Sequence, residues 1–430
     1  MNPPIHYYLH YLKNKIYFVI CILNKISELH LFGLNYYYIP TEIKCHIILF
    51  IFETFMTCMD ISCGSFHSLV LHAGQLITCG ANDNKQQGLK NIERTKFNVS
   101  LNNVLSIFSG YNTSFILTKD GLYGTGYEYL NTITNKKGHK ITGTTFKKIV
   151  LSCKKTKIKF YENGQKKKEI LIETIEIKDF ITMKVGYGFL FILTKEGLFG
   201  NGSNYSGQLG INYTDLVHGF VKIDLKNVLK ISCGRHFTMV LTKEGLFSSG
   251  TNFYGQLGLG LDIGPLVKKS NTFTKINIEN VIAVDCANNF VLVLTKEGLY
   301  ACGKTKNIRP FLLNYINNND GGCHLLGKCD LKDVISFKCG KNFYLVLTDQ
   351  GFYGCGNNKY NQLGYCSWNS PYEFKKIDLK LPLLLFACGG HHSIMLTIDF
   401  MIIGNGCNKY NQIGARNTNK TKKCIDIHRK

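Results

Sequence analysis

Hydrophobic and polar positions along the chain fall into short alternating runs rather than helical stripes. The clearest stretch, residues 228–260, reads VLKISCGRHFTMVLTKEGLFSSGTNFYGQLGLG. Runs such as FTMVLT and GLFSSG are rich in β-branched and aromatic residues and too short for helices, which predicts strands. Between them stand tight turns ending in glycine: Lys119-Asp120-Gly121, Lys195-Glu196-Gly197, Lys243-Glu244-Gly245, Lys296-Glu297-Gly298 and Asp349-Gln350-Gly351. Glycine supplies the positive φ of a short hairpin, and the charged residues face water.

The same pattern opens near Met59, Leu105, Ile181, Val228, Ile282, Ile335 and Leu384. The residue before the glycine slot is Cys63, Ser109, Val185, Cys233, Cys286, Cys339 or Cys388, at spacings of 46, 76, 48, 53, 53 and 49. A period near 50 indicates a propeller or solenoid. The Cys-Gly pair predicts backbones that crowd where the blades converge on a central channel. The Asn-x-x-Gly-Gln-Leu-Gly stretch recurs at 204–210 and 252–258, and as NKYNQLG and NKYNQIG at 358–364 and 408–414. It predicts a polar turn pinned by one buried leucine or isoleucine. Outer strands FVKIDL (220–225) and FKKIDL (374–379) precede two of the units, whereas nothing similar precedes the first. The matching piece, KKCIDI at 422–427, predicts a C-terminal strand that joins the first sheet and fastens the ring.

These repeats resemble those of the regulator-of-chromosome-condensation family, over about residues 59–428. The shared pattern is CG-x-x-[HF]-[ST]-x-x-LT-x-[DE]-GLY followed by N-x-x-GQLG. The resemblance implies an all-β, seven-bladed β-propeller at 58–430, with an N-terminal extension at 1–57 that is helical or poorly ordered.

Residues 1–57 carry no repeat. Their apolar run IYFVICIL, between Lys15 and Lys25, is too short to span a bilayer. Ile39-Pro40-Thr41-Glu42-Ile43, with Ile47, Ile48, Phe50 and Ile51 after it, looks like the opening of an F-box, which would make the chain a substrate adaptor of a ubiquitin ligase. Residues 127–180 form the long insertion, lysine-rich and with a turn signal at Glu162-Asn163-Gly164 between two strand-like runs. It reads as a hairpin projecting from the ring, as a decayed eighth repeat or as a solvated loop.

Composition changes the picture in two respects. The net charge of +22 suits a polyanionic partner, chromatin or nucleic acid. Yet only Arg94, Arg235, Arg309, Arg416 and Arg429 are arginines, so compositional drift toward lysine is the competing reading. The 17 cysteines are odd in number, and those in the repeat slot belong to successive blades, too far apart to bridge. They read as small buried hydrophobes of a reducing compartment, cytoplasm or nucleus.

No nucleophile elbow, phosphate loop, dinucleotide fingerprint or metal-spaced cluster is present, so no catalytic residue, cofactor or metal is expected. Cys323 and Cys329 with His324 lack the ligands of a zinc site. His67 and His392 occupy the histidine slot of the repeat, which Thr113, Phe189, Phe237, Phe290 and Phe343 fill elsewhere; such a slot calls for packing, not catalysis.

What the resemblance implies about function is a protein partner, either a Ran-like small GTPase subject to guanine nucleotide exchange or chromatin. The exchange factor's acidic residues lie in the turn between repeat glycine and histidine slot, and none of those turns is acidic here, Asp285 preceding its turn. The ultraviolet-B photoreceptor of the same fold uses tryptophan clusters, and Trp368 is alone. The expectation is therefore a monomeric interaction propeller that binds no membrane. Tyr205, Tyr254, Tyr360 and Tyr410 in blade-connecting loops are its contact candidates, with Arg235, His236 and His391 in the glycine-to-histidine turns.

Overall fold

The computed structural model describes residues 59–89, 98–126, 145–149, 156–162, 165–172, 179–260, 268–304, 322–365, 373–379, 382–397, 401–414 and 420–426. The leader with its F-box-like stretch lies outside them, as does Trp368.

Seven sheets form, one per repeat. Blade one holds β1 (Met59–Cys63), β2 (His67–His72), β3 (Gln75–Gly80) and β4 (Asn98–Leu101). Blade two holds β5 (Val104–Ser109), β6 (Thr113–Thr118), β7 (Gly121–Gly126) and β8 (Lys147–Lys148). An insertion supplies β9 (Thr156–Glu162) and β10 (Gln165–Ile172) before blade three, which is β11 (Phe180–Val185), β12 (Phe189–Thr194), β13 (Gly197–Ser203) and β14 (Leu216–Ile223). Blade four is β15 (Val228–Cys233), β16 (Phe237–Thr242), β17 (Gly245–Thr251) and β18 (Lys269–Lys275). Blade five is β19 (Val281–Cys286), β20 (Phe290–Thr295), β21 (Gly298–Lys304) and β22 (Gly322–Lys328). Blade six is β23 (Val334–Cys339), β24 (Phe343–Thr348), β25 (Gly351–Gly356) and β26 (Lys375–Ile377). Blade seven is β27 (Leu383–Cys388), β28 (His392–Thr397), β29 (Met401–Cys407) and β30 (Lys420–Asp426). In every blade the four strands named pair in chain order, so the expected seven-bladed, all-β propeller is the fold observed.

Sandwiching explains the sequence. The second strand of blades three, four, five and seven is buried along its whole length, because neighbouring blades cover both of its faces. Such a strand reads as an uninterrupted apolar run. The apolar clusters accordingly lie between consecutive blades, for example Phe115 of blade two against Met183 and Phe199 of blade three. Phe290 of blade five meets Tyr344 of blade six in the same way. Each fully buried leucine or phenylalanine contributes about 1.5–3 kcal/mol.

The C-terminal strand does not join the first sheet. It pairs with β29 from Met401↔Asp426 to Cys407↔Lys420 and completes blade seven, while β4 supplies the outer strand of blade one. The physical reason is the phase of the repeat. FVKIDL and FKKIDL each pair with the third strand of the unit before them, as Leu198↔Ile223 and Phe352↔Ile377 show, so every outer strand follows its own blade in the chain. The ring closes through small contacts instead. Gly390 N donates to Gly64 O (3.3 Å), and Ser68 Oγ donates to Gln412 O (2.8 Å) and meets His392 Nε2 (2.8 Å).

The insertion proves to be two things. Lys147–Lys148 pairs with Tyr123 and Gly124 as the outer strand of blade two. The expected hairpin also forms, Glu162 standing opposite Gln165, and it extends blade three to six strands through Ile172↔Val221.

The Cys-Gly glycine is required mainly for a local reason. A Cβ at Gly64, Gly186, Gly234, Gly340 or Gly389 falls 2.0–2.2 Å from the ring of the slot residue three positions on, His67, Phe189, Phe237, Phe343 or His392. Crowding by the next blade adds to this at Gly64 and Gly389, where Gly110 O and Gly64 O lie 2.5 and 2.6 Å from that Cβ. Both slot histidines are fully buried, and burial lowers the pKa of His67 to about 4 and that of His392 to about 3. Each touches the next blade, His67 Nε2 at 2.9 Å from Ser114 Oγ and His392 Nε2 at 2.8 Å from Ser68 Oγ. They are packing residues, as the slot requires.

Candidate functional site on the loop face

The turns joining first to second strands and the loops joining third to fourth strands lie on one side of the ring. Backbone bonds tie them together: Thr251 N to His236 O (2.9 Å), Asn357 N to Asn342 O (2.8 Å) and Cys407 N to His391 O (2.8 Å). Each outer loop is held from within. Asn252 Oδ1 accepts from Leu257 N (3.0 Å) and Gln256 Oε1 from Tyr254 N (2.9 Å), and the same pair of bonds recurs at Asn358 and Gln362. Leu209, Leu257, Leu363 and Ile413 are the buried pins. Blade one has the same loop, in which Gln87 N donates to Asn82 Oδ1 (3.0 Å). Sequence reading passes it over because a glutamine fills the leucine slot.

The four candidate tyrosines separate into two slots. Tyr205 aligns with Phe253, and these two project into solvent, 60% and 54% exposed. Tyr254, Tyr360 and Tyr410 stand one position later and lean on the next blade. Lys304 Nζ lies 4.8 Å from the Tyr254 ring centre, His391 5.4 Å from Tyr360, and Phe66 5.4 Å from Tyr410. Arg235 is exposed and lies 5.2 Å over Tyr187, which also meets His236 (5.6 Å) and Tyr111 (5.0 Å) in T-shaped contacts. Tyr187 and Phe253 are therefore surface aromatics absent from the sequence-based set; the β-run pattern gave no signal of exposure. Burial lowers the pKa of His236 and His391, reinforced by Arg235 in the first case and by Lys341 and Lys359 in the second, so both imidazoles are neutral near pH 7.

The face is cationic. Its described charges include Lys85, Arg235, Lys268, Lys269, Lys304, Lys341, Lys359 and Lys409 against Asp83, Asp215 and Glu373. Several cations sit beside rings, which desolvates them little and holds them in place.

At the centre the channel opens into a cavity of about 120 Å³, lined by Cys63, Cys233, Cys286, Cys339 and Cys388 with the repeat glycines. Tyr111 crosses it, donating from its hydroxyl to Asn288 Oδ1 of blade five. Asp285 points into the channel wall, where it accepts from Cys339 N (2.7 Å) and Ser232 Oγ (3.2 Å) and so ties three blades together. It is committed to structure rather than to the face. The described cysteines are free thiols; Cys63 and Cys233 are half-buried where they line the channel rather than fully buried, and desolvation there pushes both up to about 12. Native protein at pH 7.4 should therefore react with maleimide at these positions at least about ten-fold more slowly than a free cysteine peptide, and fully once denatured. Rapid labelling of Cys63 in the native state would contradict the packing role. Among the described residues no group of three or more His, Cys, Asp or Glu could hold a metal ion, and no helix is long and apolar enough to cross a membrane.

No family model matches the chain. Over 90 residues, 20% of the chain, it is 34% identical to the human probable E3 ubiquitin-protein ligase HERC4, of which the match covers 8%. The structure of human WBSCR16 superposes with a TM-score of 0.61 at 18% identity, covering 79% of this chain and 86% of that one. Prp20p from Saccharomyces cerevisiae, described with its binding properties to Gsp1p and histones, gives 0.59 at 17% identity over 78% and 81%. The Cys-Gly turn stands at Cys63, Cys233, Cys339 and Cys388, and most blades carry the Gln-bearing outer loop; with these superpositions, such repeats make the chain similar to regulator-of-chromosome-condensation repeat proteins, and its fold is the seven-bladed β-propeller.

Proposed function

We propose that this protein is an interaction propeller of the cytoplasm or nucleus whose loop face binds an acidic macromolecular surface, chromatin in the first instance. The observation that carries the reading is the segregation of cations and rings on that face, with Arg235 over Tyr187 and Lys359 and Lys409 beside Tyr360 and Tyr410. Rigid outer loops preorganise these side chains, which lowers the entropy lost on binding. A nucleosome core particle is the direct probe. Replacing Arg235, Lys359 and Lys409 together by alanine should weaken binding by about ten-fold or more at low salt and flatten the salt dependence by roughly one per cation removed, with the melting temperature unchanged. Equal binding by the triple variant, or none by the wild type, rejects this surface.

A second reading, regulation of a Ran-like GTPase by nucleotide exchange, is supported by the likeness to Prp20p and by the hairpin that lengthens blade three. Its test is the release of a fluorescent guanine nucleotide from Ran. Release no faster with micromolar protein removes it and leaves the first reading intact.

A further inference from the structure

The opposite side of the ring, which carries the second-to-third-strand hairpins, shows a repeated feature of another kind. In six inner strands the pairing with the second strand slips between the first and third residue, as between Val104 and Ser106 or Val228 and Lys230. The residue passed over is always a large aliphatic: Leu105, Ile181, Leu229, Ile282, Ile335 and Leu384. A bulge leaves its extra residue outside the ladder and re-aims the side chain. Here it turns aliphatics toward solvent, with Leu105 45%, Ile181 55%, Leu229 52%, Ile282 43% and Ile335 40% exposed. Consecutive inner strands touch, so these five form an arc around the channel mouth on blades two to six. Ile181 also borders a groove of about 710 Å³ between blades three and four, with Leu193, Ile223, Leu225 and Val228 in its wall.

One exposed leucine is ordinary, but the same slot exposed in five consecutive blades is a patterned surface. At roughly 80 Å² per side chain the five together present about 400 Å² of apolar area, within the range of the largest patch on a typical monomer, which is often functional. The charges around it indicate what covers it. Unlike the loop face, this side interleaves signs, with Lys195-Glu196, Lys243-Glu244 and Lys296-Glu297 in successive hairpins. Asn227 and Asn280 donate to Glu244 (2.7 Å) and Glu297 (3.0 Å) and hold those carboxylates in position. On a chain of net charge +22, a mixed-sign face with an apolar centre is the side that an identical molecule can approach, lysines of one copy opposite carboxylates of the other.

We propose that the hairpin face is a self-association surface on which a second copy of this chain docks, hairpin side to hairpin side. Bulged aliphatics of both copies meet at the centre within a self-complementary ring of charge, as a two-fold contact requires. The two cationic loop faces then point away from each other, free for partners. A monomer was the simplest expectation from the repeats; the bulge slot argues for a dimer.

Sedimentation of the full chain at micromolar concentration tests this. The wild type should sediment at twice the 48.7 kDa of one chain, in physiological and in high salt, because screening removes the repulsion between copies and leaves the apolar contact. Leu229→Ser with Ile282→Ser should raise the dissociation constant by about thirty-fold or more while keeping the melting temperature and nucleosome binding. Arg235→Ala, on the loop face, should leave the mass unchanged. A wild type of single-chain mass in both salts, a dimer unaffected by the serine pair, or one broken by Arg235→Ala overturns the proposal.

Discussion

Removal of residues 420–430 should lower the melting temperature by about 10 °C. Seven residues of β29, Met401 to Cys407, lose their partners in β30, and at about 0.5–1.5 kcal/mol for each ladder bond the loss is on the order of 5 kcal/mol. The third strand of blade seven then becomes a bare edge, open to pairing with other chains. Hydrogen exchange locates the damage: amides of β29 should lose protection while those of β1 and β4 keep theirs. An unchanged melting temperature, or protection lost first in blade one, contradicts the assignment of the C-terminal strand to blade seven.

Acid should destabilise the protein well above the carboxylate range, through His67 and His392. A buried imidazole that stays neutral in the fold takes up its proton only on unfolding, so below an unfolded pKa near 6.5 the unfolded chain binds more protons and stability falls with pH. With folded values of about 4 and about 3, stability is intact above pH 6.5 and is lost progressively below it, until the folded pKa values are reached. Each histidine costs about 2–3 kcal/mol by pH 4.5, roughly 5 kcal/mol together. Phenylalanine already fills this slot at Phe189, Phe237, Phe290 and Phe343. His67→Phe with His392→Phe should therefore fold and flatten the melting profile between pH 7 and 4.5. Ser68 keeps its bond to Gln412 O (2.8 Å) in that variant, so the seam between blades seven and one is not left unsatisfied. A double variant with the wild-type acid profile contradicts this account.

Much of the fold was legible because each blade repeats the same local necessities. A ring stacked on the Cys-Gly turn requires glycine, a hairpin glycine at φ near 135° (134° at Gly245) requires no side chain, and a strand between two sheets requires an apolar run. The phase of the repeat was harder to read. FVKIDL stands immediately before Val228, and only its pairing with β13 shows to which sheet it belongs. Adjacency in sequence does not distinguish the outer strand of one blade from the start of the next. The site was legible as loops but not as exposure. Tyr205 and Tyr254 look equivalent in sequence, yet one offset position separates a solvent-facing ring from one that leans against Lys304. The bulged aliphatics were invisible for the opposite reason: Leu229 and Ile282 look like core residues until the ladder slips.

Every blade draws its inner four strands from one contiguous stretch, and none waits for the far end of the chain. During synthesis each sheet can therefore be completed as soon as its own residues have emerged, and can rest against the one made before it. Only local segments must be searched at each stage, which keeps the entropy of closing loops small and the process quick for a β protein. The last event is the meeting of two finished sheets, sealed by Ser68, Gln412 and His392 rather than by threading a terminus.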